Sequence, residues 1–268
     1  YFTLRYTRRS VLLVEGSQVA HGATGRNAGW LFAGFERPFA DLVREFGLAQ
    51  AADAQRAIES GWTLLDEIYR DAAPKTPVTY FTDYVGVQDG QDVLKELDGA
   101  ALRVEAGLQP DRLLIAAEAS YSGTIPSAYE KLYSIVPQSE LLAYLETADT
   151  HFTAVSIGKG GRMNGALFCE ELVQYLLAQY PERFFVLEKT PIHTIALRED
   201  SVELTSVAHT ITGKDIVLCT NGFERFMIQN LSGPDIETKF HHLVRGYVDY
   251  MAAYFDPRNP VPGGICYV

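Results

Sequence analysis

The chain has 268 residues, of which 47% are hydrophobic and 21% charged, and its formal net charge is −11. This is the composition of a globular protein long enough for one large or two small domains. It argues against a nucleic-acid surface, which calls for a basic patch, and no apolar run reaches the roughly 18 residues of a membrane span.

Cys169, Cys219 and Cys266 are odd in number and lie in apolar or strand-like settings without metal-ligand spacing. They read as buried thiols in a reducing compartment, and no metal site is expected. No signal peptide is visible, so a cytoplasmic location is the expectation. The oligomeric state is not legible.

In chain order, Tyr1–Arg9 reads as the end of a helix, with Arg8 and Arg9 favourably placed near its C-terminus. The apolar run Val11–Val14 stops at Glu15, as a buried parallel strand with an acid at its carboxyl end does. The loop GATGRNAG follows, with Gly22, Gly25 and Gly29 around the pair Arg26–Asn27. Glycine lets backbone approach a ligand closely, and Arg26 together with free N–H groups suits a phosphate. Taken alone, Glu15 is equally a solvated strand end.

Helical spacing then runs through Phe39, Leu42, Val43 and Phe46, with Gly47 as a break. A longer helix is expected over 49–70, with Trp62 and Leu65 as core residues. The segment 73–77, APKTP, breaks the pattern and suits a domain crossing. Val78–Val87 has strand composition, and 91–106 returns to helix with Gly107 as its cap. The stretch 113–119 is short and apolar, 121–138 reads as a long loop, and 139–147 suits a short helix. A glycine cluster at 158–161 leads into a helix that Pro181 ends. Strand-like segments follow at 184–188, 192–199 and from 202, then DIVLCTNGF at 215–223. The tail begins at His241–His242 and alternates from Val244 to Tyr250 as a strand does. Adjacent histidines on a strand point to opposite faces and make a poor metal pair.

VLLVEGSQVAHGATGRNAGW resembles the second-strand region of the FAD-dependent amine and amino-acid oxidases, the D-amino-acid oxidase-like superfamily. The later order of helix, strand, meander and T-N-G is similar to that family too, and Glu188–Ile192 matches its E-x-T-x-V/I segment. The resemblance implies an α/β two-domain flavoprotein: a Rossmann-like FAD-binding domain with an interleaved mixed-sheet substrate domain. The domains expected are 1–74 with 156–228 for FAD and 75–155 with 229–268 for substrate.

It further implies FAD as cofactor, with Glu15 on the ribose and Thr24, Gly25, Arg26, Asn27, Ala28 and Gly29 near the pyrophosphate and flavin. The backbone of Ile192 is expected at adenine, and Thr220, Asn221 and Gly222 are expected to close on the cofactor. Arg245 is a candidate for a substrate carboxylate, and no catalytic residue is evident. The family's glycine fingerprint stands about 20 residues ahead of the acid, which here falls before Tyr1, and its closing segment falls beyond Val268. The implied partner is a small amine or amino acid, oxidised at the C–N bond. The alternatives are a flavin hydroxylase-type enzyme, for which GATGRNAG is not expected, and a non-catalytic nucleotide-binding or scaffold protein of the same fold.

Overall fold

The computed structural model describes residues 1–35, 37–220, 226–237 and 264–267. In chain order its helices are α1 (Phe2–Tyr6), α2 (Phe39–Phe46), α3 (Leu48–Glu59), α4 (Gly61–Ala72), α5 (Gly90–Glu105), α6 (Gln138–Tyr144) and α7 (Gly165–Gln179). Its strands are β1 (Val11–Val14), β2 (Trp30–Leu31), β3 (Thr79–Val87), β4 (Arg112–Ala116), β5 (Tyr133–Val136) and β6 (Ala154–Arg162). They continue with β7 (Phe184–Leu187), β8 (Ile192–Leu197), β9 (Val202–Ser206), β10 (Thr210–Gly213), β11 (Met227–Asn230) and β12 (Gly264–Tyr267). Among the described residues, no helix is long and apolar enough to cross a membrane.

The chain divides into two compact units. The first takes Tyr1–Gly29, Pro74–Thr76 and the described residues from 164 to 237; the second takes Trp30–Ala73, Pro77–Met163 and β12. The boundaries expected from sequence, at 74/75 and 155/156, differ from these. The physical reason is the helical segment α2–α3. Phe39, Leu42, Ala51 and Ala52 are buried in one cluster with Leu108, and Leu102 of α5 packs against it. That packing ties these helices to the second unit.

In the first unit, β1 pairs in parallel with β7, Val11 opposite Phe184 through Val14 opposite Leu187. One face of this ribbon is covered by Leu4 of α1 and Leu172, Val173 and Leu176 of α7. The strand is parallel as expected but not buried on both sides, since Leu12 and Phe185 remain 38% and 48% exposed. A separate four-stranded sheet runs β10-β9-β8-β11 around Ile195, Val202 and Ile228. The strand expected at 215–223 is not formed over 215–220, where Val217 is 83% exposed. Strand composition holds only where a neighbouring strand supplies the ladder.

The second unit is built on a sheet in the order β12-β3-β6-β4-β5, with β2 added along β6. The glycine cluster read as the approach to a helix lies within β6, the central strand. β3 pairs along the whole of Gly158–Gly161 and β2 reaches Gly161, so the ladder overrides the weak strand preference of glycine. A β-carbon built at Gly160 falls 2.5 Å from the ring of Phe81, which shows what the missing side chain makes room for. The long loop at 121–138 also contains β5, parallel to β4. The expected helix over 49–70 is two helices, α3 and α4, meeting at the Ser60–Gly61 pair, a combination that bends helices. Trp62 is half-buried and takes the Lys159 ammonium 4.5 Å from its ring centroid, rather than lying wholly in the core. Cys219 and Cys266 are exposed and Cys169 is half-buried, so the thiols are not the buried set expected.

Asp83 of β3 carries an Oδ1 that is sealed from solvent without a hydrogen-bond partner. Burial raises the pKa of its carboxyl, the charge of Asp111 raises it further, and the N–H of Tyr84 opposes both. The folded protein therefore holds this proton more tightly than the unfolded chain does. Stability contributed by the neutral form is lost as pH rises from the ordinary carboxylate range through the raised folded value. Asp83→Asn should match the parent in urea midpoint at pH 4 and exceed it at pH 8; equal midpoints at both values would show that burial there costs nothing.

Candidate cofactor site

Glu15 follows β1 directly, and its backbone continues the pairing with the end of β7. Its N–H donates to Leu187 O at 2.8 Å, and its carbonyl accepts from Thr190 N at 2.9 Å. Its Oε1 accepts from Ser17 N at 2.8 Å, which holds the carboxylate at the strand end. Lys189 N donates to Ser17 O at 2.7 Å, and Glu188 Oε1 accepts from Val19 N at 2.7 Å. Two distant segments, 15–19 and 187–190, are thus stitched together by hydrogen bonds, with Thr190 itself buried. The stitching brings Pro191 against Gly16, where a β-carbon would lie 3.6 Å from Pro191 Cα, and so sets Ile192 beside the Glu15 end. Ile192 is half-buried and opens β8, with a register shift between it and Thr194.

The next segment turns back through a 3₁₀ turn at Ala23–Gly25. Gly25 is forced: a β-carbon there would lie 2.1 Å from the carbonyl oxygen of Ala20, itself at φ 62°, and 3.4 Å from Ala166. Gly165, the first residue of α7, is close on the other side, its β-carbon position 3.0 Å from Thr24 O. Gly29 is buried at φ 72°, a conformation that favours glycine. By contrast Gly22 faces open space.

Thr24, Arg26, Asn27 and Ala28 are exposed. The Thr24 hydroxyl, the Arg26 guanidinium and the N–H groups of Asn27 and Ala28 have no acceptor among the described residues. Unpartnered donors on a closely packed loop, with a strand-end carboxylate in the same unit, suit a ligand with a phosphate and a ribose. The Asn27 side chain is engaged inside the loop, with Ala23, Thr24 and Gly29.

Thr220 is exposed at the end of the irregular stretch 215–220. Asn221, Gly222, His241, His242 and Arg245 lie outside the described residues. An open cavity of about 410 Å³ lies between the segment after β1 and α7, with Glu170, Glu188, His21 and Gln18 over Val173 and Val186. None of the expected cofactor residues lines it, and its two carboxylates are unsuited to a phosphate.

Sequence reasoning placed Glu188 in the family's segment and a helix after the glycine cluster, but gave neither the bond of Glu188 to Val19 N nor the cap of α7. The signal for the second was present: Asn164 stands three residues before Leu167, whose N–H its Oδ1 accepts at 3.1 Å, an ordinary helix cap. The two glycines on the loop make opposite predictions. Gly25→Ala should loosen the segment by roughly 1–3 kcal/mol and speed limited proteolysis within 17–29 by about 5- to 100-fold. Gly22→Ala should leave it unchanged, and equal cleavage of the two variants would show that the contact with Ala20 is not what fixes the loop.

A family model described as FAD dependent oxidoreductase matches residues 2–267. Among solved structures, glycine oxidase from Geobacillus kaustophilus superposes with a TM-score of 0.52 at 14% identity, covering 80% of this chain and 49% of that one. L-proline dehydrogenase from P. horikoshii gives 0.52 at 11% identity, with 80% and 53% covered. Glycine oxidase from Bacillus cereus gives 0.52 at 13%, with 83% and 51% covered. The chain spans about half the length of these proteins, and at such identities the likeness is one of fold, the α/β flavoprotein fold expected from the sequence. No curated protein sequence matches the chain. With the family model extending over nearly all of its length, the chain belongs to the D-amino-acid oxidase-like family of FAD-dependent oxidoreductases, whose cofactor is FAD.

Proposed function

We propose that this protein oxidises the C–N bond of a small amine or amino acid. The observation that carries the cofactor half of this reading is the stitching of Glu15 to the 187–190 segment, in the same unit as the 23–29 loop and its unpartnered donors. Support for the substrate half comes from the neighbours in fold, named as glycine oxidases and an L-proline dehydrogenase.

When bound, FAD supplies the acceptor for a hydride leaving the carbon that bears the amine, and the imine product hydrolyses in water. The chain's own residues bind and orient. Glu15 would accept hydrogen bonds from the ribose hydroxyls, with Ser17 N holding the carboxylate in place. Thr24, Arg26 and the N–H groups of Asn27 and Ala28 would hold the pyrophosphate, where Arg26 would offset its charge. Gly25 and Gly29 give the loop its shape, and the backbone of Ile192 would hold adenine. Thr220, Asn221 and Gly222 would hold the cofactor from the later segment. The first unit is the FAD-binding domain and the second the substrate domain, with Arg245 a candidate for the substrate carboxylate. A dedicated general base is unnecessary once the amine is neutral.

The test is spectroscopic and uses the full-length protein. Absorption bands near roughly 370 and 450 nm mark the bound oxidised flavin. Anaerobic bleaching of the longer-wavelength band by a primary or secondary amine or an α-amino acid supports the reading. Bands that no amine or amino acid bleaches, but a hydroxy acid or polyol does, would remove the C–N assignment and leave the oxidoreductase.

Glu15→Ala should weaken FAD binding by roughly 10- to 100-fold, the cost of losing hydrogen bonds to a charged acceptor. Glu15→Gln, which keeps one acceptor, should lose less. Titration of the apoprotein with FAD measures both, and an unchanged affinity in Glu15→Ala would remove Glu15 from the site.

A further inference from the structure

The Asn27 amide is wholly engaged within its own loop. Its Nδ2 donates to Ala23 O at 3.0 Å and to Thr24 O at 3.1 Å, and its Oδ1 accepts from Gly29 N at 2.7 Å. These partners fix the orientation of the amide. Turned over, its oxygen would face two carbonyl oxygens and its NH₂ would face an N–H. Both amide hydrogens are used, so the side chain has no donor left for a ligand.

The three bonds close residues 23–29 into a ring. They join the carbonyls of the 3₁₀ turn to the N–H of Gly29, across the exposed residues Arg26 and Ala28. Behind the ring the structure leaves little slack. Thr24 O lies 3.0 Å from where a β-carbon on Gly165 would stand, and Ala20 O lies 2.1 Å from one on Gly25. The groups left unpartnered are the Thr24 hydroxyl, the Arg26 guanidinium and the N–H groups of Asn27 and Ala28, all on exposed residues.

We propose that Asn27 is a positioning residue of the cofactor site, its side-chain amide holding the 23–29 loop in its FAD-receiving shape without itself touching FAD. The inference rests on reading that loop as the pyrophosphate side of the site. Its physical content is preorganisation. A loop already ordered in the free protein loses less entropy on binding than one that FAD must order itself. The brace works on the free protein, so its removal should be visible before any cofactor is added.

The experiment compares the full-length apoprotein with Asn27→Ala and Asn27→Ser in three measurements. These are hydrogen exchange over residues 22–29 without FAD, the FAD dissociation constant by flavin fluorescence, and thermal unfolding of the apoprotein. Asn27→Ala should exchange the Gly29 amide at least about tenfold faster and bind FAD about 5- to 100-fold more weakly. Its unfolding temperature should stay within about 2 °C of the parent, as for an exposed position. Asn27→Ser keeps a short side-chain oxygen able to accept from the N–H two residues on, and should fall between the two in both exchange and affinity.

Faster exchange with unchanged affinity would overturn the proposal, because the brace would then serve the loop and not the cofactor. Weaker binding with unchanged exchange would overturn it in favour of a direct contact. A fall in unfolding temperature that tracks the loss of affinity would make the role a general structural one. A parent protein that orders the loop yet binds no FAD would instead remove the reading of the site on which the proposal rests.

Discussion

The first unit depends on a four-residue parallel ladder between segments about 170 positions apart in the chain, Val11–Val14 and Phe184–Leu187. A parallel pair cannot be joined by a tight turn, so nothing local brings these strands together. What does is the apolar face that Val11 and Leu13 share with Phe184 and Val186 against α7, with Leu4 and Leu176 nearly fully buried between them. Once the ladder is in register, the hydrogen bonds beyond its end follow. Thr190 N reaches Glu15 O and Lys189 N reaches Ser17 O, so the acid at the tip of one strand and the Pro191–Ile192 start of another sheet are placed as a pair. A one-residue slip would move the apolar set to the open face and separate that pair.

The loop that follows is organised by a different principle, the exclusion of side chains. Gly25 and Gly165 are defined by what their β-carbons would strike, Ala20 O and Thr24 O. The chain there runs backbone against backbone, with the helix start behind it. Close backbone packing is rigid but leaves donors without partners, and here those donors are on exposed residues. In the proposed site, a strand-end acid and a glycine-bounded, donor-rich loop would offer one ligand both an acceptor for hydroxyls and donors for phosphate.

How much of this was legible follows from how local each signal is. Glu15, Arg26 and Asn27 could be singled out as candidates because their chemistry is concentrated within a dozen or so residues, and glycine spacing marks the loop directly. The role of Asn27 could not be read, since its three partners are set by the loop's own fold. The bond that Glu188 makes was hidden for the opposite reason, because its partner Val19 is distant in sequence and close only after the ladder forms. The glycine strand β6 was misread because local preference opposes strand and only its pairing with β3 and β2 reveals it. The unit boundary at Gly29–Trp30 was invisible for a similar reason. The helices after it resemble any amphipathic pair, and only the Phe39–Leu42–Leu108 cluster assigns them to the second unit.

The charge balance sets a final constraint on the site. A chain with a formal net charge of −11 repels a dianionic pyrophosphate at long range, so its overall field opposes the cofactor it uses. Beyond a Debye length, about 8 Å at physiological ionic strength, that repulsion is largely screened, whereas hydrogen bonds at contact are not. Affinity must therefore come from short-range donors held in place beforehand, rather than from a basic surface. That is the arrangement seen here: one arginine, a hydroxyl and two backbone N–H groups on a loop whose shape is fixed from within by an amide and from behind by glycines. In such a site the groups that hold the loop matter as much as those that face the ligand, because a donor displaced by about an ångström loses the bond while the repulsion remains.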